Sequence, residues 1–114
     1  MRSLVDSQAM IPFKTIRVGP FDVAIEKLRA EERDECLGQF SRIAMSIEMR
    51  DQYINPQQEA ETLLHEILHV IWYVMGIQGK KEYEEKTVNQ MSVGLASVIR
   101  DNPELMQWLR KKLS

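Results

Sequence analysis

The chain has 114 residues, 44% hydrophobic and 28% charged, with 15 Lys and Arg against 17 Asp and Glu for a formal charge of −2 at pH 7. That length and balance suit one globular domain (1–114) with a single core, and exclude collagen-like, coiled-coil or wholly disordered chains. The near-even charge leaves no basic footprint for nucleic acid and no polybasic patch for a membrane, and the single cysteine, Cys36, excludes an intrachain disulfide framework.

The first residues, MRSLVDSQAM, contain no continuous apolar run of the signal-peptide kind, and residues 1–14 read as a flexible N-terminal segment. TIRV then reads as a short strand, Gly19-Pro20 as a turn, and FDVAIEKL as a second strand. In that strand Phe21, Val23 and Ile25 alternate with polar or small neighbours. A helix over residues 22–36 is the competing local assignment. The charged run RAEERDE reads as a solvated loop. After Gly38, RIAMSIEM alternates again, so residues 42–49 are expected to form one strand with Ile43, Met45, Ile47 and Met49 on a single face.

The second half is helical. Asn55-Pro56-Gln57-Gln58 is a helix start: Asn55 can cap, Pro56 has the φ of a first turn, and Gln58 can return a hydrogen bond as in a capping box. Ala60, Leu63, Leu64, Ile67, Leu68, Ile71, Val74 and Met75 follow at helical spacing, and Gly76 and Gly79 close the helix. A second helix is expected over residues 81–100, with Val88, Met91, Ser92, Leu95, Val98 and Ile99 as its buried stripe. Gly94 costs about 1 kcal/mol of helix stability relative to Ala, which a tight helix crossing would explain. Asn102-Pro103 starts a third helix by the same capping logic, ending in Arg110, Lys111 and Lys112, which complement the helix dipole. The most apolar stretch, residues 63–77, is interrupted by His65, Glu66 and His69 and is too short and polar to span a bilayer. The cytoplasm is the expected compartment.

TLLHEILHV carries the chemistry. The chain has two histidines, and both belong to this HExxH stretch in mid-helix. Histidines four apart stack one turn above the other, so their imidazoles can converge on one metal. At about 100° per residue they project nearly opposite the Ala60/Leu64/Ile67/Ile71 stripe, with Glu66 adjacent. Core packing therefore does not account for them, whereas a metal site facing a cleft does. Zn2+ suits neutral imidazoles and leaves a position for water, whose proton Glu66 could remove and pass to a leaving amine.

A third ligand must be a carboxylate, because no histidine remains and the extended HExxHxxGxxH arrangement is excluded. Glu82, Glu84 and Glu85 open the next helix. Glu84 sits on the Val88/Met91/Leu95 stripe and Glu85 at its edge. An edge position can face a cleft while its neighbours pack, which slightly favours Glu85 and keeps Glu84 as the alternative. Tyr53, Tyr73 and Tyr83 are the chemical candidates for an oxyanion stabiliser, each also suited to packing.

HEILH followed by EKTVN, with an apolar helix continuing to DNPEL, resembles the compact HExxH zinc peptidases of phage and prophage genomes, related in pattern to the ImmA/IrrE type and to the glutamate-liganded zincins. The resemblance covers residues 15–105 and is specific at TLLHEILHVIW and at the Glu-x-x-Val-Asn stretch from Glu85 to Asn89. It implies an α+β minimal zincin in which a small twisted sheet packs against the metal-binding helix, followed by two further C-terminal helices. It further implies Glu85 as third ligand, support of a ligand histidine by Asn89, and an edge strand over residues 42–49 that pairs with an extended peptide. The implied substrate is a protein or peptide such as a phage or mobile-element regulator. The long C-terminal domain of the larger relatives has no counterpart in the sequence.

A non-catalytic zinc-binding interaction module in a phage or prophage system is the alternative function, and a hydrolase of a non-peptide amide a third. Cys36 reads as an inert thiol in the strand region, and the methionines Met45, Met49, Met75 and Met91 as core filling. The paired C-terminal helices are similar in outline to a helix-turn-helix but lack a basic recognition face, so no nucleic-acid partner is expected.

Overall fold

The computed structural model describes residues 11–29 and 36–114. Four strands, β1 (Thr15–Val18), β2 (Phe21–Lys27), β3 (Gly38–Ser41) and β4 (Ser46–Met49), precede three helices, α1 (Pro56–Val74), α2 (Lys81–Asp101) and α3 (Pro103–Leu113). The protein is α+β: a mixed sheet of order β1-β2-β4-β3 lies against α1, α2 packs on α1, and α3 follows α2. No helix among the described residues is long and apolar enough to cross a membrane.

β1 and β2 form an antiparallel hairpin with Val18 opposite Phe21. Gly19 at φ +57, followed by the fixed negative φ of Pro20, has the backbone signs of a II′ turn, whose twist matches that of paired strands. The helix considered for residues 22–36 is excluded over Phe21–Lys27, and most of the charged loop lies outside the described residues. In β2, Val23 is fully buried while Phe21 is largely exposed. Of the N-terminal segment, Ile11 packs against the core and the Lys14 carbonyl accepts from the Ile25 amide at 2.8 Å. The rest of that segment lies outside the described residues.

The strand expected over residues 42–49 is shorter and differently placed. Only Ser46–Met49 is extended. Residues 42–45 turn the chain between β3 and β4, Met45 sits at φ +49, and Ile43 at the tip is completely exposed. The Ser41 hydroxyl accepts from the Ala44 amide and closes that turn. β4 is also internal, parallel to β2 on one side and antiparallel to β3 on the other, so the edge beside α1 belongs to β3.

The core sits between sheet and α1: Val18, Val23, Ile47, Met49 and Val70, flanked by Leu63, Ile67, Ile71 and Val74. α1 begins as its sequence requires. Asn55 Oδ1 accepts from the Gln58 amide at 2.8 Å, and Gln58 Oε1 accepts in return from Ile54, one residue before the cap. It ends in a Schellman arrangement, with Gly76 at φ +65, Gly76 N–H donating to Tyr73 O and Ile77 N–H to Trp72 O. At the other end of the sheet, a Cβ on Gly38 would lie 3.0 Å from Thr62 Cγ2 and 3.1 Å from Glu48 O, so a side chain here would make its neighbours give by a few tenths of an ångström.

The C-terminal helices are less buried than their periodicity suggests. Val88 and Ser92 of α2 are buried, whereas Met91, Leu95, Val98 and Ile99 are exposed, as are Ala60 of α1 and Met75, which follows it. Gly94 faces open space, so no tight crossing explains it. The Asn102 side chain does not cap α3. Its Nδ2 donates to Val98 O at 3.0 Å instead.

Candidate metal centre

α1 contributes three polar groups from one side. Thr62, Glu66 and Val70, four apart, form its most buried line, and His65 and His69 stand beside Glu66 at the rim of a cleft. The cleft, about 730 Å³, is bounded by β3 (Gly38, Gln39, Phe40, Ser41), by the turn residues Arg42 and Ile43, and by Lys81, Glu84 and Glu85 of α2. A second cavity of about 380 Å³ meets it at Gly38, His65, Glu66 and Glu85.

The Schellman turn and Gly79 bring the first turns of α2 back over the histidines. Glu85 Oε1 lies 3.0 Å from His65 Nε2 and Oε2 lies 2.9 Å from His69 Nε2, while the two Nε2 atoms are 3.3 Å apart. One ligand atom from each of His65, His69 and Glu85 falls within 4.8 Å of the others, so this group could hold a metal ion. Bonds of about 2.0–2.1 Å in a tetrahedron set ligand atoms about 3.3 Å apart, close to the spacings found. The donor chemistry agrees. Two imidazole nitrogens and a carboxylate aimed at one point can satisfy a positive charge placed between them, and hydrogen-bond to one another without it.

Glu84 does different work from its neighbour. Its Oε2 is 2.6 Å from His69 Nδ1, the nitrogen facing away from the convergence point, and both side chains are only 14% exposed. A carboxylate there can accept the Nδ1 proton, the tautomer that would leave the Nε2 lone pair for an ion. Adjacent residues of α2 thus address the two nitrogens of one ring. Asn89 is exposed in the wall of the second cavity and makes no hydrogen bond to either histidine. The contact that supports a histidine comes from Glu84.

Electrostatics separate the groups by burial. Burial pushes the Glu66 carboxyl from 4.5 to about 7, His69 pulls it back, and the Glu85 carboxylate adds to the rise. His65 is lowered from 6.5, first by burial and against the pull of Glu85, which favours the neutral imidazole that a metal requires.

No tyrosine lines either cavity. The Tyr53 hydroxyl donates to Leu37 O at 2.7 Å and accepts from the Arg50 amide at 2.9 Å, tying the approach to β3 to the end of β4. Burial raises its pKa to about 12, so it stays protonated. Tyr73 packs on Phe40 with Arg42 over its ring, and Tyr83 is exposed. Cys36 lies in the wall of the second cavity, and Trp72 lines neither.

The sequence does not disclose β3, nor the two cations of the cleft, Arg42 and Lys81. The only available signal for Lys81 is its place one turn before Glu84 and Glu85 on the same helix. No family model matches the chain, and neither the curated proteins nor the solved structures include a match to it.

Proposed function

We propose that the protein is a zinc-dependent peptidase in which His65, His69 and Glu85 hold the metal and Glu66 moves the proton. The observation that supports this is the convergence of those three side chains beside a buried carboxyl of pKa about 7, inside a cleft bounded by a sheet edge. Zinc bound there would acidify a water and polarise a carbonyl.

The chain's own groups supply the remainder. Burial raises the Glu66 carboxyl to about 7 in the metal-free site, and a neighbouring cation would favour its charged form. That carboxylate can accept a proton and later return it to a leaving amine. Glu84 fixes the orientation of His69 and its tautomer. β3, which pairs with β4 on one side among the described residues, offers its other edge to an extended peptide by main-chain hydrogen bonding. The resemblance to the ImmA/IrrE type makes a phage or mobile-element regulatory protein the substrate class to test first.

The test is metal analysis combined with peptide hydrolysis. Purified protein should hold one zinc per chain and cleave peptide bonds, and Glu66→Gln should keep the zinc and lose about 10²–10⁴-fold in rate. A Glu66→Gln protein with zinc and undiminished biological activity would shift the reading to a non-catalytic zinc-binding interaction module.

A further inference from the structure

The two cavities that meet at the candidate metal centre differ in charge. The larger one carries Arg42 and Lys81, and neither makes an ion pair with a carboxylate among the described residues. The Arg42 guanidinium instead rests over the Tyr73 ring, 5.3 Å from its centroid, and Tyr73 packs on Phe40 of β3 at 6.1 Å. An aromatic ledge thus holds this cation at the cleft rim without neutralising it. Of the acidic groups in the same cleft, Glu84 and Glu85 lie against imidazole nitrogens and Glu66 is buried on α1. The smaller cavity has no lysine or arginine among its described lining residues, and beyond the shared Glu66 and Glu85 its charged group is Glu61.

Resting on the peptidase reading for its location, we propose that the cleft selects an extended peptide with acidic side chains on the half that lies over Arg42 and Lys81. Two cations that make no ion pair among the described residues, beside an edge strand, complement carboxylates on an added strand, and the same cations repel lysine and arginine there. The opposite half meets Glu61, Gln58, Asn89 and Ser92, which suit polar or basic side chains. Arg42 and Lys81 are specificity determinants, placed to read charge on the bound chain and taking no part in the chemistry.

The experiment uses zinc-loaded protein and three fluorescein-labelled decapeptides, identical except for a central pair of Glu, Gln or Lys. Binding is measured by anisotropy with Glu66→Gln protein, and cleavage by mass spectrometry with wild type. The Glu peptide should bind about tenfold more tightly than the Gln peptide and the Lys peptide most weakly, in low salt. Arg42→Glu/Lys81→Glu should reverse that order, and Arg42→Gln/Lys81→Gln, which keeps side-chain bulk should the reversal misfold, should flatten it. Equal binding of the three peptides, a preference for Lys, no binding of any, or a Glu preference surviving both double variants would each overturn the proposal. Cleavage without charge preference would overturn it while leaving the peptidase reading intact. Charge-selective binding without cleavage would uphold it and sink the peptidase reading instead.

Discussion

Replacing Glu66 by glutamine should stabilise the metal-free protein, and only at neutral and alkaline pH. The carboxyl belongs to a residue 6% exposed, and burial raises its pKa from 4.5 to about 7. Below pH 4.5 the folded and unfolded chains both carry the proton, so this group adds no pH dependence. Between 4.5 and about 7 the unfolded chain releases its proton while the folded chain retains it, so stability falls as pH rises. Above 7 the folded state bears the full cost of a buried carboxylate. The gap from 4.5 to about 7, at about 1.4 kcal/mol per pH unit, comes to roughly 3 kcal/mol. Glutamine has the shape of the neutral acid and does not ionise, so Glu66→Gln escapes that cost. Chelator-treated wild type and variant should unfold together at pH 4.5. At pH 8 they should separate by roughly 3 kcal/mol in urea, or on the order of 10 °C in Tm. Zinc should narrow the difference, because a cation beside Glu66 favours its charged form. Equal stability at pH 8 in chelator, or a less stable variant, would refute the argument that burial sets the properties of Glu66.

Three further outcomes are expected. Zinc affinity measured by competition with a chromophoric chelator should fall about 10–100-fold in Glu84→Ala, which removes only the support of His69. It should fall further in Glu85→Ala, which removes a direct donor, and the opposite ranking would exchange the roles of the two residues. Gly38→Ala should cost about 1–3 kcal/mol in urea unfolding, because its methyl group meets Thr62 Cγ2 at 3.0 Å and Glu48 O at 3.1 Å. Tyr53→Phe should cost about 0.5–1.5 kcal/mol by the same assay, because Arg50 N–H keeps its 3.3 Å bond to Leu37 O when the hydroxyl that serves both is lost.

The helices could be read from local chemistry because their signals are local. A cap at Asn55, a proline in the first turn and a glycine at φ +65 after the last each act within a few residues, and α1 spans Pro56–Val74 as those marks require. The same reasoning missed β3. Its four residues begin at a glycine, and the turn after it is built from Arg42, Ile43, Ala44 and Met45, none of which announces a reversal. Apolar alternation continues through that turn, so pattern alone merges turn and strand. Helical periodicity likewise names a stripe on α2 without stating how far a partner extends. α1 covers Val88 and Ser92 and leaves Val98 and Ile99 exposed. For the metal centre, the two histidines are visible as a motif. The division of labour between Glu84 and Glu85 is not, since it depends on which imidazole nitrogen each reaches across a helical hairpin.

The three residues that could hold a metal ion belong to α1 and the first turns of α2, with none from the sheet. Pulling His65, His69 and Glu85 onto one ion would tie together two helices that are joined only by a short glycine-containing loop. In a chain whose single cysteine can form no internal cross-link, such an ion would act as a staple. It would close a short loop in the unfolded chain and hold a helical hairpin whose outer half has little packing of its own. A bound ion would then add to the packing of α2 on α1, and the loosely packed end of the hairpin would be the part most sensitive to whether a metal is present.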